Sequence, residues 1–118
     1  MKKRDALAAL AALAQENRLD VFRLLVEAGP EGMPAGTVAS ALKLAPNTLT
    51  FHFDRLRDAG LVTVRRDGRS MIYAAQYDRM NALLDYLTEN CCQGQADQCA
   101  PAECKPRSTI ASRQKVRA

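Results

Sequence analysis

The sequence predicts a mainly α-helical domain with one β-hairpin, the architecture of a winged helix-turn-helix. Apolar residues recur at the spacing of amphipathic helices in five segments of the chain. Two alternating segments flank the dipeptide Asp67-Gly68, which is a strong hairpin signal. The resulting order is helix, helix, helix-turn-helix, hairpin and helix, and a hairpin after a helix-turn-helix is the wing of that motif. With 118 residues, the chain has room for one domain.

Leucine spacing and helix-ending residues predict the first two helices. Over residues 3–14, a narrow apolar stripe lies among alanines and suits close packing against another helix. The stripe consists of Leu7, Leu10 and Leu13. A second helix spans residues 16–28 and ends at Gly29-Pro30. We expect its core-facing side chains to be Leu19, Phe22, Leu25 and Val26.

The helix-turn-helix comes next. Pro34 begins a third helix, whose inward residues are expected to be Val38, Ala41 and Leu42. After the turn "KLAP", a fourth helix has Pro46 in its first turn, where the missing N–H costs nothing, and it ends at Gly60. Its core face is predicted to comprise Leu49, Phe53 and Leu56. The residues that point away from the core are Asn47, Thr48, Phe51 and Arg55, with His52 at the border.

The hairpin and the last helix complete the fold. The segments "LVTVRR" and "SMIYAA" alternate as strands around a basic tip, "RRDGR". A last helix runs from about Tyr77 to Asn90, and its apolar stripe is formed by Met80, Leu83, Leu84 and Leu87. We therefore divide the chain into a winged helix-turn-helix and dimerisation domain (1–90), a cysteine-rich segment (91–104) and a basic tail (105–118).

Charge and hydropathy limit the possible partners. The net charge is +4, but the tail holds five of the seventeen basic residues, so residues 1–104 carry 12 basic and 13 acidic side chains. The basic balance therefore comes from the tail, which we expect to be disordered and loosely attracted to phosphates. No run of about 20 apolar residues is present, so we expect no membrane span. Asp5 interrupts the N-terminal apolar stretch, which favours a cytoplasmic protein over a secreted one.

Polar residues near the start of the fourth helix and arginines at the hairpin tip form a candidate DNA surface. The N-terminal end of a recognition helix reaches base edges, and arginines reach phosphates. Without a preceding helix-turn-helix, the tip arginines would be read as a solvated turn. The predicted DNA-binding residues are Asn47, Thr48, Thr50, Phe51, His52, Arg55, Arg65, Arg66 and Arg69.

The four cysteines all lie within residues 91–104. Adjacent cysteines on a helix point about 100° apart, so Cys91 and Cys92 do not suit one apolar pocket. A disulfide between neighbours would be strained, and cytoplasmic thiols stay reduced. A soft ion can accept both sulfurs once the chain turns, with a third thiolate from Cys99 or Cys104. Zinc is disfavoured because the chain has no Cys-x-x-Cys, and its single histidine lies in the fourth helix.

The segment "NTLTFHFDRLRDAGLVTVRRDGRSMIYA" resembles the recognition helix and wing of the ArsR/SmtB family of metalloregulatory repressors. The family hallmark is Ser/Thr-x-x-x-His-x-x-x-Leu followed by Ala-Gly-Leu-Val and a basic hairpin. Thr48, His52, Leu56 and residues 59–62 fit this hallmark, and the resemblance covers roughly residues 5–90. It implies a homodimer that binds double-stranded operator DNA, with the first and last helices at the dimer interface.

The resemblance also assigns positions near DNA. Asn47, Thr48, Phe51 and His52 match family positions that approach the duplex, although Phe51 departs from the small polar residue often found there. For His52 there is a structural alternative, a half-buried histidine that packs the helix.

The cysteine cluster matches one of the family's effector sites. The family's zinc site needs histidines on the last helix, and its Cys-x-Cys site lies near the third helix; both are absent here. "ENCC" with a following cysteine resembles the arsenite site found at the end of the last helix in some ArsR repressors, with a slightly different spacing to the third cysteine. Trivalent arsenic is thiophilic and takes three sulfurs in a pyramid. The resemblance implies arsenite or antimonite as inducer, bound by Cys91, Cys92 and Cys99, or by Cys104 as the third ligand.

Three other functions fit the sequence less well. A redox or other soft-metal sensor uses the same thiols, but a helix C-terminus disfavours a thiolate. A thiol enzyme such as an arsenate reductase needs a cysteine in a phosphate-binding loop closed by arginine, and no arginine stands six residues after Cys92, Cys99 or Cys104. A DNA-binding protein without an effector leaves the cysteine cluster without a role.

Overall fold

Five α-helices, three short strands and one 3₁₀ turn make up residues 1–94, the part of the chain that the computed structural model describes. The helices are α1 (Lys3–Leu13), α2 (Glu16–Ala28), α3 (Ala35–Leu42), α4 (Pro46–Asp58) and α5 (Tyr77–Leu87). The strands are β1 (Met33–Pro34), β2 (Val62–Asp67) and β3 (Ser70–Ala75), and the 3₁₀ turn is Cys91–Gly94. The chain forms two compact units, Met1–Thr88 and a second that begins at Glu89. The predicted winged helix-turn-helix is confirmed.

The fourth helix is anchored in the core as its sequence pattern predicts. Leu49, Phe53 and Leu56 are each at most 2% exposed. Pro46 stands at the first helical position, where no N–H is needed. The helix ends in a Schellman motif. The Leu61 N–H donates to the Leu56 carbonyl and the Gly60 N–H donates to the Arg57 carbonyl, both at 2.9 Å. Gly60 has φ +78°, the left-handed conformation that this helix ending requires.

The hairpin forms the larger part of an antiparallel sheet in the order β1-β3-β2. Its register runs from Val62 opposite Ala75 to Asp67 opposite Ser70. The loop is Gly68-Arg69, with Gly68 at φ +64° in its first position, where a two-residue hairpin loop favours glycine. Strand β1 adds only Met33 and Pro34 to the edge of β3, and its two residues are too few to show an alternating pattern in the sequence.

The first helix buries three of its five alanines and exposes two of its three leucines. Ala6, Ala9 and Ala12 are at most 8% exposed in the core, whereas Leu7 and Leu10 are exposed. Small side chains allow α1 to approach the rest of the domain closely. The predicted leucine stripe is therefore an outer face of this protomer, and only Leu13 is partly buried.

Several core assignments from the sequence were wrong. In α2, Leu19 is exposed and Val21 takes its place in the core, next to Phe22 and Leu25. In α3, Val38 is buried but Ala41 is exposed. The helical spacing of apolar residues does not show which edge of their stripe is buried, because burial depends on where the neighbouring helices lie.

The last helix ends three residues before the predicted Asn90. It stops at Leu87, and the Thr88 hydroxyl donates to the Leu84 carbonyl (2.8 Å) in place of a further turn. Asn90 has φ +59°, which is incompatible with helix continuation. Of the predicted stripe, Leu83 is buried and Met80 half-buried, but Leu84 and Leu87 are exposed. Within residues 1–94, no helix is long and apolar enough to cross a bilayer.

Candidate nucleic-acid interface

The side chains of α4 separate into an inner and an outer face. Four of them are buried, and the outer face carries every residue that the sequence assigned to DNA on this helix except His52. These exposed residues are Asn47, Thr48, Thr50, Phe51 and Arg55. Because the helix repeats every 3.6 residues, Asn47, Phe51 and Arg55 form one row along its outer surface. The helix therefore presents a continuous polar and aromatic face to solvent.

Thr50 uses its hydroxyl proton within the helix. Its Oγ1 donates to the Pro46 carbonyl at 3.0 Å. This bond to the residue four positions earlier leaves the hydroxyl oxygen available only as an acceptor. Thr50 can therefore receive a hydrogen bond from a base amino group, but in this rotamer it cannot donate one to a phosphate.

Phe51 and Arg55 form a stacked pair on the outer face. The central guanidinium carbon of Arg55 lies 5.3 Å from the centroid of the Phe51 ring, within range of a cation–π interaction. Phe51 is nevertheless 52% exposed. A large aromatic side chain with half of its surface in water is a candidate contact residue, and the structure makes it the most prominent apolar feature of this helix face.

His52 does not lie on the exposed outer face of α4. Its side chain is only 4% exposed, so its assignment to the DNA-binding residues is corrected to the packing alternative. Neither ring nitrogen has a hydrogen-bond partner among residues 1–94. Burial, and secondarily the positive charge of Arg18, lowers the pKa of His52 below its usual value of 6.5. The ring is therefore neutral in the folded protein near pH 7.

The wing carries three exposed arginines, Arg65, Arg66 and Arg69. The Arg65 guanidinium donates to the Glu31 carbonyl (2.8 Å), so it also ties the hairpin to the segment before β1. Arg66 and Arg69 are exposed near the loop. The wing is joined to α4 by stacked rings of Phe53 and Tyr73, which fix the strand next to the helix. The sequence predicted the three arginines but not the bond from Arg65 to Glu31, because that carbonyl is 34 positions away.

A cavity of about 340 Å³ lies between α1 and α4. Its wall combines alanines with two arginines, one aspartate and the Phe51 ring. The lining residues are Ala8, Ala11, Ala12, Arg18, Phe51, Arg55, Asp58 and Ala59. No sequence signal marks this cavity, since its lining residues come from helices that are far apart in the chain.

The predicted thiol site is described only in part. The Cys91 and Cys92 sulfurs are 3.5 Å apart, too far for a disulfide bond. Cys92 has φ +54°, which turns the chain at this point. Cys99 and Cys104 lie outside the described residues, and so does the basic tail. Within residues 1–94, no three metal-binding side chains come together.

Comparison with known proteins agrees with this geometry. A helix-turn-helix domain family matches residues 13–65. The chain is 33% identical to the uncharacterized HTH-type transcriptional regulator YceK of Bacillus subtilis, over 66% of this chain and 77% of that protein. It is 30% identical to the transcriptional activator HlyU of Vibrio cholerae, over 79% and 85% of the two chains.

A solved structure supports the same fold. The ArsR-like transcriptional regulator from Rhodococcus sp. RHA1 superposes with a TM-score of 0.67 at 23% identity, covering 82% of this chain and 89% of that one. At this identity the likeness concerns the fold alone. Together with the curated relatives and the Thr48–His52–Leu56 motif, these similarities establish what kind of protein this is. The chain belongs to the helix-turn-helix transcriptional regulators, and its recognition helix and wing resemble those of the ArsR/SmtB family.

Proposed function

We propose that this protein is a cytoplasmic, homodimeric transcriptional repressor that is released from its operator when arsenite or antimonite binds its C-terminal cysteines. DNA binding and regulation of transcription are the family's role. We propose in addition the effector, the homodimer and repression as the direction of regulation. The observation that supports a thiol-binding effector is the short distance between the sulfurs of Cys91 and Cys92.

The geometry of this cysteine pair suits a single soft ion. Two sulfurs 3.5 Å apart can both bond to one ion at about 2.3 Å with an S–ion–S angle of about 100°. That angle is smaller than the tetrahedral one and fits a pyramidal ion with a lone pair, such as trivalent arsenic. Thiolates select soft ions, and a metalloid displaces the thiol protons as its bonds form.

A third sulfur completes the site in this proposal. Cys99 is seven residues after Cys92 and Cys104 is twelve after it, and a shorter loop costs less entropy to close. We therefore assign Cys99 as the third ligand and Cys104 as the alternative.

DNA binding is assigned to α4 and the wing of each subunit. In a two-fold dimer, two recognition helices enter successive major grooves about 34 Å apart. The exposed leucines of α1 and α5 supply apolar surface for such a dimer: Leu7, Leu10, Leu84 and Leu87. Apolar side chains exposed on both helices support an interface there, since burying each one is favourable.

The decisive experiment measures DNA release by separate effectors. A preferred operator is first selected from random duplexes with the full-length protein, and its dissociation is then followed with arsenite, antimonite, zinc or peroxide. We expect release by arsenite and antimonite, with a coupling free energy of ~1–3 kcal/mol. In vitro transcription from a promoter that carries this operator should be repressed without arsenite. Release by peroxide alone would replace the metalloid with a redox signal.

Serine variants test the ligands individually. Cys91→Ser and Cys92→Ser should abolish release by arsenite, and Cys99→Ser should weaken it more than Cys104→Ser. All four should bind the operator like wild type without arsenite, because no cysteine lies in α4 or the wing. If Cys91→Ser and Cys92→Ser both respond to arsenite like wild type, the cysteine pair is not the effector site.

A further inference from the structure

We propose that Phe51 reads the C5 methyl group of a thymine in the major groove, and thereby makes one T·A pair in each half-site a determinant of the operator. The inference rests on the proposed binding of operator DNA by α4, and it adds the base that one residue recognises. Phe51 departs from the small polar residue usual in the family, so the reading belongs to this chain.

The position of Phe51 on α4 places it among base-reading residues. It is 52% exposed and lies in the same outward row as Asn47, four residues earlier. Four residues advance a helix by about 6 Å along its axis. When Asn47, in the first turn of α4, faces a base, Phe51 therefore faces the base pairs next to it.

The chemistry of the ring selects the partner group. A phenyl ring has no hydrogen-bond donor or acceptor, so it cannot read the amino, carbonyl or ring-nitrogen groups of a base edge. Among the groups that the four base pairs present in the major groove, the thymine C5 methyl is the apolar one. Contact with that methyl also removes apolar ring surface from water, which is favourable.

The ring is held in place by its neighbours. The Arg55 guanidinium stacks over it at 5.3 Å, and the ring of the buried His52 meets it edge-on with centroids 5.9 Å apart and planes at 62°. Both contacts restrain the ring before DNA is bound, so less side-chain entropy is lost on binding. The Arg55 charge beside the ring also favours approach to the negatively charged duplex.

Phe51 also lines the cavity between α1 and α4, so a small molecule bound there is the alternative partner of its ring. We favour DNA because half of the side chain faces solvent in the same row as Asn47. A small molecule in that cavity would instead meet the ring together with Asp58 and Arg18.

The experiment removes single methyl groups from the DNA. The operator is selected with the full-length wild-type protein, and each thymine of a half-site is replaced in turn by deoxyuridine, which lacks only the C5 methyl. Kd is measured by fluorescence anisotropy. We expect one position per half-site at which wild type binds about fourfold more weakly, the factor for one methyl group no longer buried. Phe51→Ala should bind the thymine and deoxyuridine duplexes with equal Kd.

Leu19→Ala is the matched control variant. Leu19 is an exposed apolar residue, 42% exposed, but it belongs to α2 and not to α4. This variant should keep the full sensitivity to deoxyuridine. Because Phe51 and Leu19 are both exposed, both variants should fold, which circular dichroism checks.

The possible failures are distinct. Selective DNA binding without any thymine position that discriminates against deoxyuridine would overturn the Phe51 proposal alone, and so would unchanged discrimination in Phe51→Ala. Failure of wild type to enrich any duplex would overturn the proposed DNA-binding function, and this inference with it.

Discussion

The ring of Phe53 on α4 lies almost parallel to the ring of Tyr73 on β3, with centroids 3.6 Å apart and planes inclined by 6°. Both side chains are buried, at 1% and 8% exposure. The contact joins the recognition helix directly to the wing. Two elements that are proposed to touch one DNA site are therefore in direct contact through this pair of side chains.

Replacing these rings should reveal a measurable coupling. Phe53→Leu and Tyr73→Leu should each lower the free energy of unfolding, and the double variant should lose less than the sum. Aromatic pairs contribute about 0.5–1.5 kcal/mol beyond area burial, and we expect the lower end because these rings stack nearly face to face. Urea unfolding of all four proteins measures the coupling. Tyr73→Phe keeps the ring and should retain the coupling with Phe53. If the losses of the two leucine variants add strictly, the rings are not coupled.

The stability of the protein should fall below pH 6.5 because of His52. The pKa of His52 is lowered in the folded protein by burial first and by Arg18 second, whereas in the unfolded chain it is near 6.5. Between these two values the unfolded state binds more protons, so stability rises with pH. The stabilisation is complete above pH 6.5 and is lost as pH falls towards the folded pKa, with a slope of at most about 1.4 kcal/mol per pH unit.

Replacing this histidine isolates its contribution. His52 is the single histidine of the chain, and histidine is the side chain that ordinarily changes charge between pH 5 and 8, so His52→Leu should show little change in unfolding free energy between pH 7.5 and 5.5. Removal of buried ring nitrogens that lack hydrogen-bond partners in the described part of the chain should also stabilise the variant relative to wild type at pH 5.5. Equal pH slopes for wild type and variant in urea unfolding would contradict the assignment.

The arginines of the wing should contribute to the salt dependence of DNA binding. Arg66 and Arg69 are exposed near the hairpin loop, and each phosphate contact contributes about 0.9 to the slope of log K against log salt. Replacing both by alanine should lower the slope by about two and weaken binding to all sequences. Arg23→Ala removes one charge from α2, where Arg23 pairs with Glu27 at 3.8 Å, and should leave the slope unchanged. The same slope in the double wing variant would remove the wing from the interface.

Charged residues on α5 should separate dimerisation from folding. Leu84 and Leu87 are 42% and 55% exposed, so Leu84→Glu with Leu87→Glu should give folded monomers that bind DNA weakly. Leu83 is only 5% exposed, and Leu83→Glu should instead unfold the protomer by burying an unpaired charge. Sedimentation and circular dichroism distinguish the two results. Leu19→Glu, on α2, should remain dimeric, and a monomeric wild type at micromolar concentration would refute the interface.

Much of the fold follows from local sequence. Leu49, Phe53 and Leu56 recur at helical spacing, and the first two residues after α4 supply the glycine ending that the helix requires. The alternating strands around Gly68 likewise define their own hairpin. Such features depend on residues a few positions apart, so periodicity and turn chemistry predict them without knowledge of the tertiary structure.

The sequence by itself therefore determined the order of elements, the core of α4, the exposed arginines of the wing and the clustering of thiols beyond the last helix. Only the tertiary structure decided that His52 is buried, that Leu19 and Leu84 are exposed, and that Arg65 bonds to the Glu31 carbonyl. An amphipathic pattern shows that a helix has an apolar face, but the width of the covered part depends on the positions of its neighbours. Burial at the edge of a stripe is thus set by packing between residues far apart in the chain, and periodicity carries no information about it.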